Sequence, residues 1–345
     1  MERFGDAAGL LQRAISSHAF PAASVEVGRA DGVAWRAAFG RLTYAEDAPR
    51  ATEETIFDLA SLTKVIATTT LAMQAVDAGR LSLTDRVADR LAAWRGLDRE
   101  AVTIADLLEH ASGLTAYLPF FRDHHGRVEF ERAICSLPLE YVPRARSIYS
   151  DLGFILLGFI LEDINRAPLA QQFDYEGLRF NPPREWGERT APTELDLWRG
   201  RLLQGEVHDE NTWALGGAAG HAGLFGTAAS TGTFARLVLR GLRGGRSIAR
   251  RETLARFTMK STVPESSRAL GWDTMLTSSS CGSRLSPTAI GHTGFTGTSL
   301  WIDAEQDLYI VLLTNRVHPT RENNGIQPAR RAFHDAVVDA VRAHG

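Results

Sequence analysis

Phe4, Leu10, Leu11 and Ile15 recur at helical intervals near the start of the chain, and Pro21 ends the helix they predict. Two β-rich runs follow, 23–28 and 33–39, joined around Asp31-Gly32, a dipeptide suited to hairpin turns. Over 61–78 the period is helical again, with Gly79 as a C-terminal stop. Further helices are predicted over 103–110, 130–135, 151–165 and 231–243, so the middle of the chain is mostly α. The stretch 171–213 contains Pro182-Pro183 and the tryptophans Trp186, Trp198 and Trp213. It has weak periodicity and reads as an ordered loop region or small helical insert. β pattern returns at 298–302 and 308–314 across a polar turn, and a last helix is predicted over 327–343.

Strands at both ends around a helical middle imply an α+β fold. An antiparallel sheet flanked by terminal helices (residues 1–60 plus 245–345) would receive a mostly helical domain (61–244), with the active site between them. The length of 345 residues supports a large core. No internal repeat or low-complexity segment interrupts it.

Charge changes the picture by exclusion. With 38 basic and 41 acidic residues the net charge is −3, and no long block of like charge occurs, so a nucleic-acid footprint is not expected. The longest uncharged apolar run, 152–161, falls short of the ~20 residues of a membrane helix, so no membrane association is expected either. The first residues do not read as a signal peptide, and the expectation is a cytoplasmic protein. Cys135 and Cys281 are too few for a disulfide framework; two free thiols and a single bridge both remain open. The sequence leaves the oligomeric state open.

Only two of the 38 basic residues are lysines, Lys64 and Lys260. Lys64 closes Ser61-Leu62-Thr63-Lys64 at the start of a predicted helix, where a spacing of three sets hydroxyl and ammonium on one face. The helix N-terminus adds a free backbone N–H and the positive end of the dipole, the beginnings of a nucleophile with its base and oxyanion site. An N-capping serine with a surface lysine is the plainer alternative; apolar flanks at 56–60 and 65–67 argue for burial, which lowers a lysine pKa. Tyr149-Ser150-Asp151 precedes a second apolar helix, where Tyr149 is either a proton relay or core packing and Asp151 a helix cap. His292-Thr293-Gly294-Phe295 leads into a strand, where glycines let a ligand approach the backbone; a plain glycine-rich turn is the alternative. His208, Asp209 and Glu210 are adjacent polar residues that cannot all face one ion on regular backbone, so they read as a polar loop lining the cleft, and no metal is expected. No Gly-x-Ser-x-Gly, Gly-x-Gly-x-x-Gly or P-loop occurs, which argues against an α/β-hydrolase and against nucleotide cofactors; no cofactor is expected.

Ser-x-x-Lys, Tyr-x-(Asn) and a (Lys)-Thr-Gly-like triplet in this order resemble the serine β-lactamase and penicillin-binding-protein superfamily, in its class C β-lactamase branch with related family VIII-type esterases, peptidases and muramoyl-alanine amidases. IFDLASLTK (56–64), TIADLLEHASGL (103–114) and YSDLGFILLG (149–158) extend the match, and 207–211 with 216–223 resemble the members linked to peptidoglycan turnover. The resemblance implies a covalent acyl-enzyme on Ser61, with Lys64 as base partner, Tyr149 as proton relay to the leaving group and the N–H groups of Ser61 and Phe295 as oxyanion hole. It places Asp151, His292, Thr293 and Gly294 at the substrate, a small ester, amide or muropeptide. A carboxylesterase or peptidoglycan-fragment amidase or peptidase is the expectation. A modest β-lactamase and a catalytically silent binding module are the alternatives. Two residues depart from the pattern. Asp151 stands for Asn, and its carboxylate would raise Lys64 and shift base duty to Tyr149. His292 stands for a lysine and provides no fixed cation.

Overall fold

Strands from the two ends of the chain build one six-stranded antiparallel sheet. The computed structural model describes residues 2–343. The strands are β1 (Ala22–Gly28), β2 (Val33–Gly40), β3 (Phe57–Asp58), β4 (Leu178–Phe180), β5 (Leu195–Asp196), β6 (Arg201–Leu202), β7 (Leu224–Gly226), β8 (Asp273–Thr274), β9 (Ile290–Thr293), β10 (Ser299–Asp303) and β11 (Leu308–Thr314). The large sheet runs β2-β1-β11-β10-β9-β8, so the first hairpin closes directly on the last strand. Val25 faces Leu312 and Val27 faces Ile310 across that junction.

Alternation sorts the sheet's side chains onto two cores. Val25, Val27, Trp301, Ile310 and Leu312 pack on one face against helices Gly5–Ser16 and Ile326–Ala343, through Leu11, Phe333 and Val337. Leu300, Ile302, Tyr309, Val311 and Leu313 point the other way, into the larger core with the helical middle of the chain. Helix Ala228–Leu242 lies directly on that face, presenting Phe234, Val238 and Leu239. The antiparallel sheet and its terminal helices are thus the ones expected.

Three local differences from the sequence expectations have physical causes. The helix predicted over 61–78 is broken into a turn with i→i+3 bonds, a π-helical segment Lys64–Thr68 and an α-helix Thr69–Asp77. The stretch 171–213 contains short strands β4, β5 and β6, none long enough to carry a period of its own. Strand β9 joins the sheet although Ile290-Gly291-His292-Thr293 has little apolar alternation; it is held by pairing on both sides.

Candidate active site

Ser61 sits where a strand meets a broken helix. Asp58 ends β3, and its Oδ1 accepts from Ala60 N at 2.8 Å, which helps hold Ala60 in the left-handed region at φ 47°. That conformation costs a non-glycine residue about 1–3 kcal/mol, and it turns the chain sharply just before Ser61. The next turn closes by Lys64 N donating to Ser61 O at 3.1 Å, followed by the π-helical bond from Thr69 N to Lys64 O. Irregular helix of this kind concentrates at functional sites. Here it sets Lys64 Nζ 3.0 Å from Ser61 Oγ.

Lys64 is fully buried. Its ammonium reaches Ser61 Oγ at 3.0 Å, the His221 carbonyl at 3.0 Å and Asp151 Oδ1 at 2.7 Å. The Tyr149 ring lies beside this cluster, with Lys64 Nζ 4.9 Å from its centroid. Burial pulls Lys64 down, but the Asp151 carboxylate and Tyr149 outweigh it and the net direction is upward, so Lys64 rests as an ammonium. Burial raises Tyr149 despite the nearby lysine. The upward direction favours Tyr149 as a phenol at rest, because desolvation penalises the phenolate more than one shared cation favours it.

Asp151 opens helix Asp151–Asn165, whose apolar run is buried all round; Ser150 caps it through Gly153 N at 3.3 Å. The His221 carbonyl is delivered by a close approach of two backbones. A Cβ on Gly220 would lie 2.0 Å from the Phe154 carbonyl of this helix, so only glycine lets residue 221 reach the lysine. The family resemblance over 216–223 does not by itself single out the His221 carbonyl; the glycines around it are the available signal.

The segment after β9 docks on the turn that carries Ser61. Thr296 Oγ1 donates to Asp58 O at 2.7 Å and Thr298 Oγ1 to Leu59 O at 3.0 Å. A Cβ on Gly294 would lie 2.6 Å from Leu59 O and 3.2 Å from Ala60 Cβ. Phe295 is thereby held beside Ser61. Among the described residues neither the Ser61 nor the Phe295 backbone N–H finds an acceptor in the protein, as an oxyanion site requires. Burial holds His292 well below its ordinary value, with Arg268 and Lys64 adding to the effect, so it is neutral. Its Nδ1 donates to Thr293 O at 2.8 Å.

Ser61, Tyr149, Asp151, His292, Thr293, Gly294 and Phe295 all line one cleft of about 700 Å³. His208, Asp209 and Glu210 line it too, each turned to its own partner. His208 Nε2 meets Glu194 at 2.9 Å, Asp209 Oδ1 meets His221 Nε2 at 2.8 Å, and Glu210 meets Arg321 at 2.7 Å. Burial opposes the Glu194 carboxylate, yet His208 and Arg321 bring it down to about 2. Among the described residues no group of three His, Cys, Asp or Glu side chains converges on a metal position. Arg268, Arg316, Arg321 and Arg330 supply positive charge that no motif announced. Trp186, Trp198 and Trp213 do not line the cleft. Trp198 packs edge-on against Phe121 and Trp213, and Trp186 against Ile56, Val207 and Phe225. Both cysteines are buried free thiols, and no helix among the described residues is long and apolar enough to cross a membrane.

A serine with a buried lysine and a tyrosine beside it, set between an antiparallel sheet and a helical layer, defines an enzyme of the serine hydrolase class. The chain belongs to the Beta-lactamase family, whose model matches residues 7–334. It is 31% identical to a putative D-alanyl-D-alanine carboxypeptidase of Salmonella gallinarum, over 81% of this chain and 73% of that protein. Its fold is similar to that of EstCE1, a hydrolase with promiscuous acyltransferase activity (TM-score 0.77, 21% identity, covering 98% of this chain and 99% of that one). It is also similar to a class C β-lactamase from Rhodobacter sphaeroides (TM-score 0.75, 20% identity, covering 97% and 98%).

Proposed function

We propose that the protein hydrolyses an amide bond of a small, charged, peptide-like substrate, of the kind found in peptidoglycan fragments, through an acyl-enzyme on Ser61. The observation that carries this reading is Ser61 Oγ at 3.0 Å from a buried Lys64 Nζ, with the Tyr149 ring centroid 4.9 Å from that ammonium. In this scheme Ser61 Oγ attacks the carbonyl carbon and its proton enters the lysine cluster. The N–H groups of Ser61 and Phe295 receive the developing oxyanion, each such donor being worth about 10²–10³ in rate. Tyr149, a phenol at rest, passes its proton to the leaving nitrogen and is reprotonated from Lys64. Water then repeats the sequence on the acyl-enzyme. Asp151, His292, Thr293 and Gly294 border the substrate.

The cleft's charged lining supports a polar substrate, and the carboxypeptidase relative supports a peptidoglycan fragment. A short-chain ester is the second reading, favoured by the likeness to EstCE1. Neutral His292 in place of a fixed cation makes slow β-lactam turnover the expected behaviour. Mass spectrometry of the intact protein after a fluorophosphonate probe tests the reading. A single adduct is expected in wild type and none in Ser61→Ala; no adduct on either removes the enzyme mechanism and leaves a binding module. Parallel assays on muropeptides, p-nitrophenyl acetate and nitrocefin then rank the substrate classes.

A further inference from the structure

We infer that Asp151 is the terminal proton acceptor of this site, taking through Lys64 the proton that Ser61 releases on attack. The inference rests on Ser61 being the nucleophile, as proposed above. An ammonium has three protons and no lone pair. Lys64 Nζ faces Ser61 Oγ, the His221 carbonyl and Asp151 Oδ1 at 3.0, 3.0 and 2.7 Å. It can take the serine proton only by releasing one of its own. The His221 carbonyl cannot hold a proton and the Tyr149 phenol still carries its own. Asp151 is the neighbour that can receive one.

The step balances within the chain. The Ser61 Oγ–carbon bond forms and the carbonyl becomes an oxyanion; the serine proton moves to Lys64 as a lysine proton moves to Asp151, which becomes a carboxylic acid. On collapse the bond to the leaving group breaks. Tyr149 protonates that group, Lys64 reprotonates Tyr149, and Asp151 returns its proton to Lys64. Lysine stays an ammonium throughout, so its upward shift is no obstacle, and the aspartate at a position where class C enzymes carry asparagine acquires a purpose. The groups facing this pair do not compete. Tyr149 and Tyr117 are pushed up by burial, and His110 and His292 are held neutral by it. Arg268 is a cation over the Tyr149 ring at 5.0 Å, while Asp209 and Glu210 are engaged by His221 and Arg321.

The test is Asp151→Asn, assayed with p-nitrophenyl acetate across pH and by the rate of Ser61 phosphonylation. Loss of the acceptor is expected to lower kcat/KM at neutral pH by about 100-fold or more. The variant's activity should also rise toward alkaline pH, where Lys64 must now shed a proton to solvent. A variant within about threefold of wild type, with an unchanged profile, overturns the inference while wild-type phosphonylation of Ser61 leaves the nucleophile standing. Should the variant not fold, the proton inventory of the wild-type enzyme in mixed light and heavy water decides. Two protons in flight bow the plot, and a linear plot refutes the relay.

Discussion

Truncation of Arg316 probes how the second oxyanion donor is held. The side chain is 7% exposed, and among the described residues no carboxylate pairs with it. Its Nε donates to Phe295 O at 2.8 Å, its Nη1 to Arg321 O at 2.8 Å and Asn323 O at 3.0 Å, and the guanidinium lies 4.4 Å from the Phe295 ring centroid. Hydrogen bonds from a charged donor contribute about 1.5–3 kcal/mol each, but removing a buried cation without a counter-ion returns part of that. Arg316→Ala should therefore lower global stability by only about 1–3 kcal/mol. The local effect is larger, because Phe295 is half exposed and loses the clamp on its carbonyl and its ring. Complete loss of one oxyanion donor costs about 10²–10³ in kcat. Thr296 and Thr298 still tie the segment to Asp58 and Leu59, so the expected fall in kcat is about 10–100-fold. KM should change by less than about threefold, since the interaction strengthens only as the oxyanion forms. Arg316→Lys keeps the charge without the planar Nε–Nη1 fork, and should resemble alanine more than wild type. Steady-state kinetics on p-nitrophenyl acetate, with a melting curve to establish folding, measure this. A folded Arg316→Ala protein with kcat within about twofold of wild type would refute the reasoning.

His334 is buried beside Ser299 and Arg330, and burial brings its pKa down to about 3. It is neutral in the fold and charged when unfolded below ~6.5. Its contribution is therefore present above ~6.5 and lost as pH falls toward about 3, by up to roughly 5 kcal/mol. Urea unfolding between those limits should show a shallower pH slope for His334→Gln than for wild type; equal slopes would count against it. Trp186→Ala removes a half-buried ring from the cluster of Ile56, Val207 and Phe225, away from the cleft. It should cost about 1–3 kcal/mol of stability and leave kcat and KM unchanged, and a kinetic change larger than its stability effect would place Trp186 at the substrate.

Local chemistry was legible along the chain. The β-rich runs 23–28, 33–39 and 308–314 marked strands because such residues fit a pleated, packed surface. Ser61 and Lys64 could be paired because three residues of helical turn bring two side chains onto one face. Even there the sequence pointed to a regular helix, whereas a left-handed Ala60 and a π-helical segment set the contact. What lies far apart in the chain was decided by tertiary structure alone. The Gly220–Phe154 approach carries the His221 carbonyl to Lys64, the Thr296 and Thr298 hydroxyls dock Phe295 beside Ser61, and four arginines gather at one cleft. The protonation states belong to the same class. Asp151 was visible as a departure, but whether Lys64 rests charged and Tyr149 neutral depends on the balance between desolvation and a 2.7 Å ion pair, and that balance exists only once the chain has brought them together.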